Sequence, residues 1–294
     1  MKIMFLNGGL ANQMFQYTFY SYGQLKNPMD EWYLDDSFFF VNDVHNGYEL
    51  EKVFGLHPKL LSRYFDKDVW EYMIGLKREG KSIPQILLEN GVDIRMISEY
   101  DNWKQWNPFE GRLDQLDQEF EDWMINIKGD IYYNGYAIKS YYYKNIRWKL
   151  KKEFVFPDID DEKNLKYLEE IESTNSCSLH VRRGDYAKFN AIAPDQVYDQ
   201  MIGEMLKKEP DMTLFVFSDE ISYCKEHMDT MGLEKAGKCV FIEGNTGEKA
   251  FRDMQLMSKC RNMLVGNSSF SFMASLLNQN PKTVLTFRQD RYGF

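Results

Sequence analysis

Cysteine and histidine are scarce in this 294-residue chain, with four of each. Cys177, Cys224, Cys239 and Cys260 never fall in a CxxC spacing, and His45, His57, His180 and His227 include no close pair. Neither a zinc site, a disulfide framework nor a histidine-rich metal centre is indicated. Three of the cysteines sit in apolar contexts suited to buried free thiols. Long hydrophobic runs are missing too. Nothing approaches the ~18 apolar residues that span a bilayer, and the N-terminal patch Ile3-Met4-Phe5-Leu6 is too short for a signal-peptide core. A cytoplasmic protein is the expectation. Positive charge is in deficit, with 36 Lys+Arg against 45 Asp+Glu for a net charge of -9. Broad nucleic-acid binding needs dense Lys/Arg surfaces and is disfavoured, so an anionic ligand must be held by a local basic site. No internal repeat, low-complexity segment, GxGxxG fingerprint or Walker spacing occurs.

What is present is a globular composition, 44% hydrophobic, in a chain long enough for two domains. Lys2-Ile3-Met4-Phe5-Leu6 reads as a buried strand. Asn7-Gly8-Gly9 then turns the chain into a helix starting near Asn12, on which Phe15, Thr18, Phe19 and Tyr22 follow helical spacing. Strand, glycine turn and helix make the first half of a β-α-β unit, and the glycines let the backbone approach a ligand. From about Asp30 to Tyr143 the chain is rich in aromatics. Here helices are expected at Ile83–Leu88 and Leu113–Ile127, and a strand at Ile131–Tyr136. An acidic helix follows at Asp161–Glu172. The domain boundary is placed at 152/153.

Beyond it the pattern alternates regularly. Strands are expected at Cys177–Val181, Thr213–Phe217, Lys238–Ile242, Met263–Val265 and Thr283–Phe287, with helices between them at Pro194–Lys208, Ile221–Met231, Thr246–Cys260 and Phe270–Leu277. This is an α/β domain with a doubly wound parallel sheet.

In such sheets ligands sit beyond the carboxyl ends of the strands. Alternation puts His180 and Arg182 on one face of a strand that runs into Arg183-Gly184-Asp185-Tyr186. Arginine is suited to clamp a phosphate or diphosphate through paired, charge-assisted hydrogen bonds. The bland alternative is an arginine salt-bridged to a neighbouring acid. Gly266-Asn267-Ser268-Ser269-Phe270 opens an apolar helix, with Asn267 or Ser268 as its cap. A glycine, hydroxyls and free amides at a helix N-terminus form a phosphate cradle. Asp253 falls on the apolar face of the preceding helix, where an isolated carboxylate is costly. Either Arg252 or Arg261 pairs with it, or it accepts the two adjacent N–H donors on the pairing edge of guanine.

His180-Val181-Arg182-Arg183-Gly184-Asp185-Tyr186 resembles the HxRRxDY motif of the α-1,2-fucosyltransferases, glycosyltransferase family 11. Gly8-Gly9-Leu10-Ala11-Asn12-Gln13-Met14-Phe15-Gln16-Tyr17, Phe217-Ser218-Asp219-Glu220 and Gly266-Asn267-Ser268-Ser269-Phe270-Ser271 resemble further family stretches, in family order over nearly the whole chain. The resemblance implies a GT-B architecture of two Rossmann-like domains facing a central cleft, an N-terminal acceptor-side domain (1–152) and a C-terminal donor domain (153–294). It implies inverting, metal-independent transfer of L-fucose from GDP-β-L-fucose to the 2-hydroxyl of a terminal β-galactoside such as lactose, with no cofactor. By the resemblance, Arg182 grips the β-phosphate, His180 lies near the guanosine and Asp253 accepts from the guanine. Asn267, Ser268, Ser269 and Phe270 form the phosphate loop, while Arg183, Ser218 and Asp219 complete the donor side. Gly9, Asn12 and Gln13 belong to the acceptor side. Asn12 and Asp185 join Arg182 in catalysis, Asp185 as the base. One departure is visible: the α-1,6 relatives carry a candidate base glutamate where this chain has Asn190.

Asp158-Ile159-Asp160 has the DxD spacing of metal-holding transferases, but it opens an acidic helix whose dipole favours carboxylates anyway. Arg183-Gly184-Asp185 reads as part of the donor site rather than an adhesion signal. Aromatics such as Tyr100, Trp103, Trp106, Trp123, Tyr132, Tyr133 and Tyr142 are mostly core, with the acceptor assigned to this half. The competing readings are a non-catalytic carbohydrate-binding protein and a fucosyltransferase of α-1,6 or protein O-linked type. The missing anchor fits a bacterial enzyme at the inner face of the membrane, peripherally associated and working on glycan intermediates.

Overall fold

The computed structural model describes residues 1–99 and 121–286. The chain divides into two compact units between Val155 and Phe156, three residues beyond the expected boundary.

The first unit carries β1 (Lys2–Phe5), β2 (Trp32–Asp35), β3 (Ile94–Ser98) and β4 (Asp130–Asn134) in one parallel sheet of order β2-β1-β4-β3. Helix α1 (Leu10–Lys26) follows β1 and starts two residues ahead of the expected point, with Gly9 as an extended N-cap. Gly8 is required, since its φ is +72° and a Cβ there would meet the Asn12 side chain at 2.5 Å. The expected strand at Ile131–Tyr136 is β4, shifted by one residue at its start. Both faces of β4 are covered, so Tyr132 and Tyr133, which point oppositely, are each buried. Phe19 packs edge-on against Tyr133 and Tyr142. The aromatics that blur the sequence pattern here are therefore largely core. Residues 121–126 are helical. Leu113, Leu116 and Phe120 of the expected helix, with Tyr100, Trp103 and Trp106, lie outside the described residues.

The second unit opens with α2 (Glu162–Ser173), whose N-cap Asp161 accepts from the Asn164 N–H. Then come β5 (Ser176–Val181), α3 (Asp195–Lys208), β6 (Thr213–Ser218), α4 (Ile221–Glu226), β7 (Lys238–Phe241), α5 (Phe251–Met257), β8 (Asn262–Val265), α6 (Ser269–Leu277) and β9 (Thr283–Thr286). Phe287, the expected end of the last strand, lies outside the described residues. All five strands are parallel, in the order β7-β6-β5-β8-β9. The apolar runs of the inner strands, such as Leu214-Phe215-Val216-Phe217, are buried throughout, while the edge strands β7 and β9 are partly exposed. Helices on both faces of a parallel sheet impose that pattern.

Two expected helices are shorter than their periodicity suggests. The first stops at Glu226, and the chain then turns through Gly232 at φ +69°. The second begins as a 3₁₀ turn at Gly247–Lys249 and becomes α-helical only over Phe251–Met257. Cys177, Cys224 and Cys260 are buried free thiols. Among the described residues no helix is long and apolar enough to cross a membrane.

Candidate functional site

In the second unit the strand order reverses direction of growth between β5 and β8, since β6 and β7 extend one way and β9 the other. In parallel sheets ligands bind at such a switch point, beyond the carboxyl ends of the two strands. β5 delivers His180 and Arg182 there, and β8 delivers Gly266-Asn267-Ser268-Ser269.

Arg182 is held by two carboxylates. Its Nε donates to Asp185 Oδ1 at 2.9 Å, Nη2 is ion-paired with the same oxygen at 2.8 Å, and Nη1 is ion-paired with Asp219 Oδ2 at 3.0 Å. One guanidinium N–H is thus hydrogen-bonded and the other two nitrogens are ion-paired. The side chain is still 28% exposed, so the remaining donors can reach a ligand. The salt-bridged arginine that the sequence offered as the bland alternative is present, and it leaves the fork oriented rather than consumed. Asp219 is fixed in turn by the Arg183 N–H at 3.0 Å. Gly184 permits this closeness, because a Cβ there would meet Asp219 Oδ2 at 2.6 Å. Ser218 Oγ accepts the Glu220 N–H and shapes the same turn.

The two arginines do not act as a pair. The Arg183 guanidinium lies 3.2 Å from the centre of the Tyr223 ring and reaches Glu220 at 3.3 Å. Tyr223 is anchored by hydrogen bonds to Asp195. Arg183 contributes to this cluster through its main-chain N–H, which holds Asp219. Asp185 anchors Arg182, its Oδ1 accepting the Nε–H and ion-paired with Nη2. Asn190 closes the turn after Asp185–Phe189 at φ +49°. Asparagine tolerates that left-handed backbone better than glutamate does, which gives a physical reason for the departure at this position.

His180 belongs to a strand buried on both faces. Its ring packs against Phe270 with centroids 5.4 Å apart. Burial and the neighbouring Arg182 charge push its pKa down to about 3, so the imidazole is neutral. Its Nδ1 is buried without a hydrogen-bond partner. Ser268 caps α6 by accepting the Phe270 N–H, and Asn267 Nδ2 donates to Ala191 O. Tyr186, 5.8 Å from the Arg182 guanidinium, donates to Asn267 O at 3.3 Å. These contacts bring His180, Arg182, Asp185, Asp219, Asn267, Ser268 and Phe270 into one cluster, with Ser269, partly exposed in the first turn of α6, at its edge. A cationic fork beside a helix N-terminus is suited to a phosphate or diphosphate.

Asp253 stands on α5, which packs on α6. Neither expected arginine is its partner. Arg252 donates to the carbonyls of Pro157 and Asp158 and to Gln255, and Arg261 reaches the Glu172 carbonyl. Asp253 Oδ1 instead accepts from Asn245 Nδ2 at 2.8 Å. Burial pushes its carboxyl up to about 7, with the Asn245 bond pulling the other way. Asn164 and Asn245 carry no sequence signal for this role; they are 81 positions apart and read as a helix residue and a turn residue. Of the DxD pair, Asp160 reaches Arg252 at 3.4 Å and Asp158 offers only its carbonyl. Among the described residues no group of three or more His, Cys, Asp or Glu side chains is placed to hold a metal ion.

In the first unit, the strand ends of β1 and β4 flank the other switch point. Gln16 bridges them, donating to Asn7 Oδ1 and Gly135 O and accepting the Asn7 N–H. Gly9 lies against the His45 ring and Asn12 is half-buried in the first turn of α1. Gln13 is fully buried, donating to Gly8 O and Gly47 O and accepting the Glu49 N–H, so it braces the loop.

His180 and Asp253 give a paired test of this electrostatics. Between pH ~4 and ~6.5 the unfolded chain holds a proton on His180 that the folded one lacks, while the folded chain holds one on Asp253 that the unfolded one lacks. The two slopes cancel in the wild type. Removing one exposes the other at about 1.4 kcal/mol per pH unit. Relative to wild type, His180→Gln should gain stability as pH falls through this window, and Asp253→Asn should lose it. Denaturant unfolding at several pH values reads both slopes.

A sequence model described as glycosyl transferase family 11 matches residues 109–290, more than half the chain. At 27% identity, over 92% of this chain and 86% of the relative, the protein is similar to an α-1,2-colitosyltransferase of Escherichia coli. At 25% identity, over 93% and 89%, it is similar to the O-antigen biosynthesis glycosyltransferase WbnK of Escherichia coli. Among solved structures, the fucosyltransferase NodZ from Bradyrhizobium superposes with a TM-score of 0.50 at 12% identity, covering 94% of this chain and 92% of its own. That likeness concerns the fold, and two α/β units with one parallel sheet each are the GT-B class expected from the sequence. With the family match spanning the Arg182 strand end, the Asp253 helix and the Ser268 turn, the chain belongs to glycosyl transferase family 11.

Proposed function

We propose that this glycosyltransferase moves L-fucose from GDP-β-L-fucose to the 2-hydroxyl of a terminal β-galactoside, with inversion at the fucosyl C1. The observation that carries the reading is the Arg182 guanidinium, oriented by Asp185 and Asp219 beside the N-terminus of α6. As the C1–O bond to the β-phosphate breaks, its electron pair goes to the diphosphate while the acceptor oxygen bonds C1 from the opposite face and gives up its hydroxyl proton to solvent, with Asp185 the nearby carboxylate able to relay it. Charge accumulates on the leaving group, and stabilisation must be aimed there. The free Arg182 donors and the main-chain N–H groups around Ser268 and Ser269 supply it. His180, neutral and with Nδ1 unpartnered, offers an acceptor to a nucleoside hydroxyl. Asp253 accepts from guanine. In the other unit Asn12, near Gly9, orients the acceptor.

A fixed cationic fork does the work that a divalent ion does in metal-dependent transferases, so transfer proceeds without one. Work on nucleotide-linked sugars fits the cytoplasm, with peripheral attachment to the inner face of a membrane where glycan intermediates are built. The name of the colitosyl relative supports a second donor, GDP-colitose, whose sugar is the 3-deoxy counterpart of fucose.

The test is to incubate the protein with GDP-fucose or GDP-colitose and a panel of β-galactosides including lactose, then locate the new linkage. An α-1,2-fucosylated product that survives excess chelator is expected. Transfer from GDP-colitose alone would replace the donor, and loss of turnover with chelator would remove the metal-free mechanism. Failure to bind GDP in calorimetry would remove the site.

A further inference from the structure

We propose that Asn164 and Asn245 are positioning residues for nucleobase recognition, forming an amide ladder that holds the Asp253 carboxylate in register for guanine. This rests on the reading of Asp253 as the base acceptor.

The ladder has one consistent direction. At its outer end Asp161 caps α2 and accepts from Asn164 Nδ2 at 2.9 and 3.1 Å. A second hydrogen of the same amide goes to Asn245 Oδ1 at 2.8 Å, and Asn164 Oδ1 accepts from Asn245 Nδ2 at 2.9 Å. The last hydrogen of Asn245 goes to Asp253 Oδ1. Each –NH₂ uses both its hydrogens and each carbonyl accepts one. An ionised carboxylate accepts only, so Asp161 dictates which way Asn164 faces, and Asn164 dictates that Asn245 presents its nitrogen to Asp253. A helix cap thus sets the orientation of a carboxylate 92 positions away in the chain, since 253 − 161 = 92.

The chemistry that results suits guanine. Asn245 secures Asp253 Oδ1 through one lone pair, leaving the second lone pair and all of Oδ2 for the two parallel N–H donors of the guanine pairing edge. Among the described residues no cation competes for the carboxylate. α6 carries no titratable side chain, and Arg252 is turned to carbonyls. On α2, Lys163 lies over the Tyr167 ring and Asp161 is held by Asn164. The amide bond from Asn245 is therefore the chief support for the ionised form.

Calorimetry with the full chain at pH ~8 compares GDP with inosine diphosphate, which lacks only the exocyclic amine. Wild type should favour GDP by about tenfold or more, the value of one hydrogen bond to a charged acceptor. In Asn245→Ala and Asn164→Ala that ratio should fall toward one, and the pH at which it collapses should move up, since the carboxylate has lost its donor. Titration of the shared diphosphate cancels in the ratio. Asp253→Asn is the control. If it abolishes the preference while both amide variants keep the wild-type ratio and midpoint, the ladder is refuted and the Asp253 reading stands. Should Asp253→Asn itself leave the preference intact, both are refuted. Should Asn245→Ala melt early, Asn164→Ala and Asp161→Ala, one and two steps further out, carry the same expectation.

Discussion

Arg182→Ala should lower turnover by about 10³-fold or more, the range found when a preorganised donor or arginine is removed from a developing negative charge. Arg182→Lys should recover little of it. The lysine ammonium restores the charge, but not the planar fork through which Nε and Nη2 share Asp185 Oδ1 while Nη1 takes Asp219 Oδ2. Without both anchors the cation is no longer aimed at the leaving oxygen. The same geometry predicts that Asp185→Asn raises the donor KM and lowers kcat together, by about tenfold, since an amide oxygen is a weaker anchor for the guanidinium. A base lost at this position would lower kcat alone. Steady-state kinetics with the three variants reads each outcome, and a lysine variant turning over at the wild-type rate would refute the clamp.

The parts of this site that were legible in the sequence are those in which chemistry and local structure coincide. Arg182 and Asp185 lie within one short stretch where a buried strand ends, and Ser268 caps a helix at once after a strand, so both read as strand ends with functional groups. Asp253 was legible as a carboxylate on an apolar helix face, but its partner was not. Asn245 and Asn164 come together only because β7 delivers its following loop beside the first turn of α2, a juxtaposition that no local spacing records. For Gln13 the partners were likewise hidden from the sequence. A polar residue after a glycine turn looks available to a ligand, yet its amide completes main-chain hydrogen bonding of two loops, and burial without such partners would be costly. The alternation of the second half predicted its parallel sheet well because each strand is a short apolar run between helices. In the first half, tyrosines buried on both faces of β4 erase the period-two signal.

Asp253→Asn should weaken the donor KM by about 10²-fold at pH ~8, the combined worth of two hydrogen bonds to an ionised acceptor. It should also remove a pH dependence that the wild type shows. Burial holds the folded pKa of this carboxyl up at about 7 against an ordinary 3.8, so the free protein is protonated below neutrality. Only the carboxylate accepts both guanine donors, and binding below pH ~7 must therefore expel a proton, weakening affinity about tenfold for each unit of pH. Above that pH the group is already ionised and the affinity is level. GDP-fucose is the better probe than GDP, because its diphosphate diester does not titrate near neutrality. His180 adds no limb of its own in this range, its pKa lying near 3. The donor KM of the wild type should thus rise as pH is lowered from ~8 to ~5, while that of Asp253→Asn stays flat at its raised value. A parallel rise in the variant would assign the proton to another group and separate Asp253 from the nucleobase.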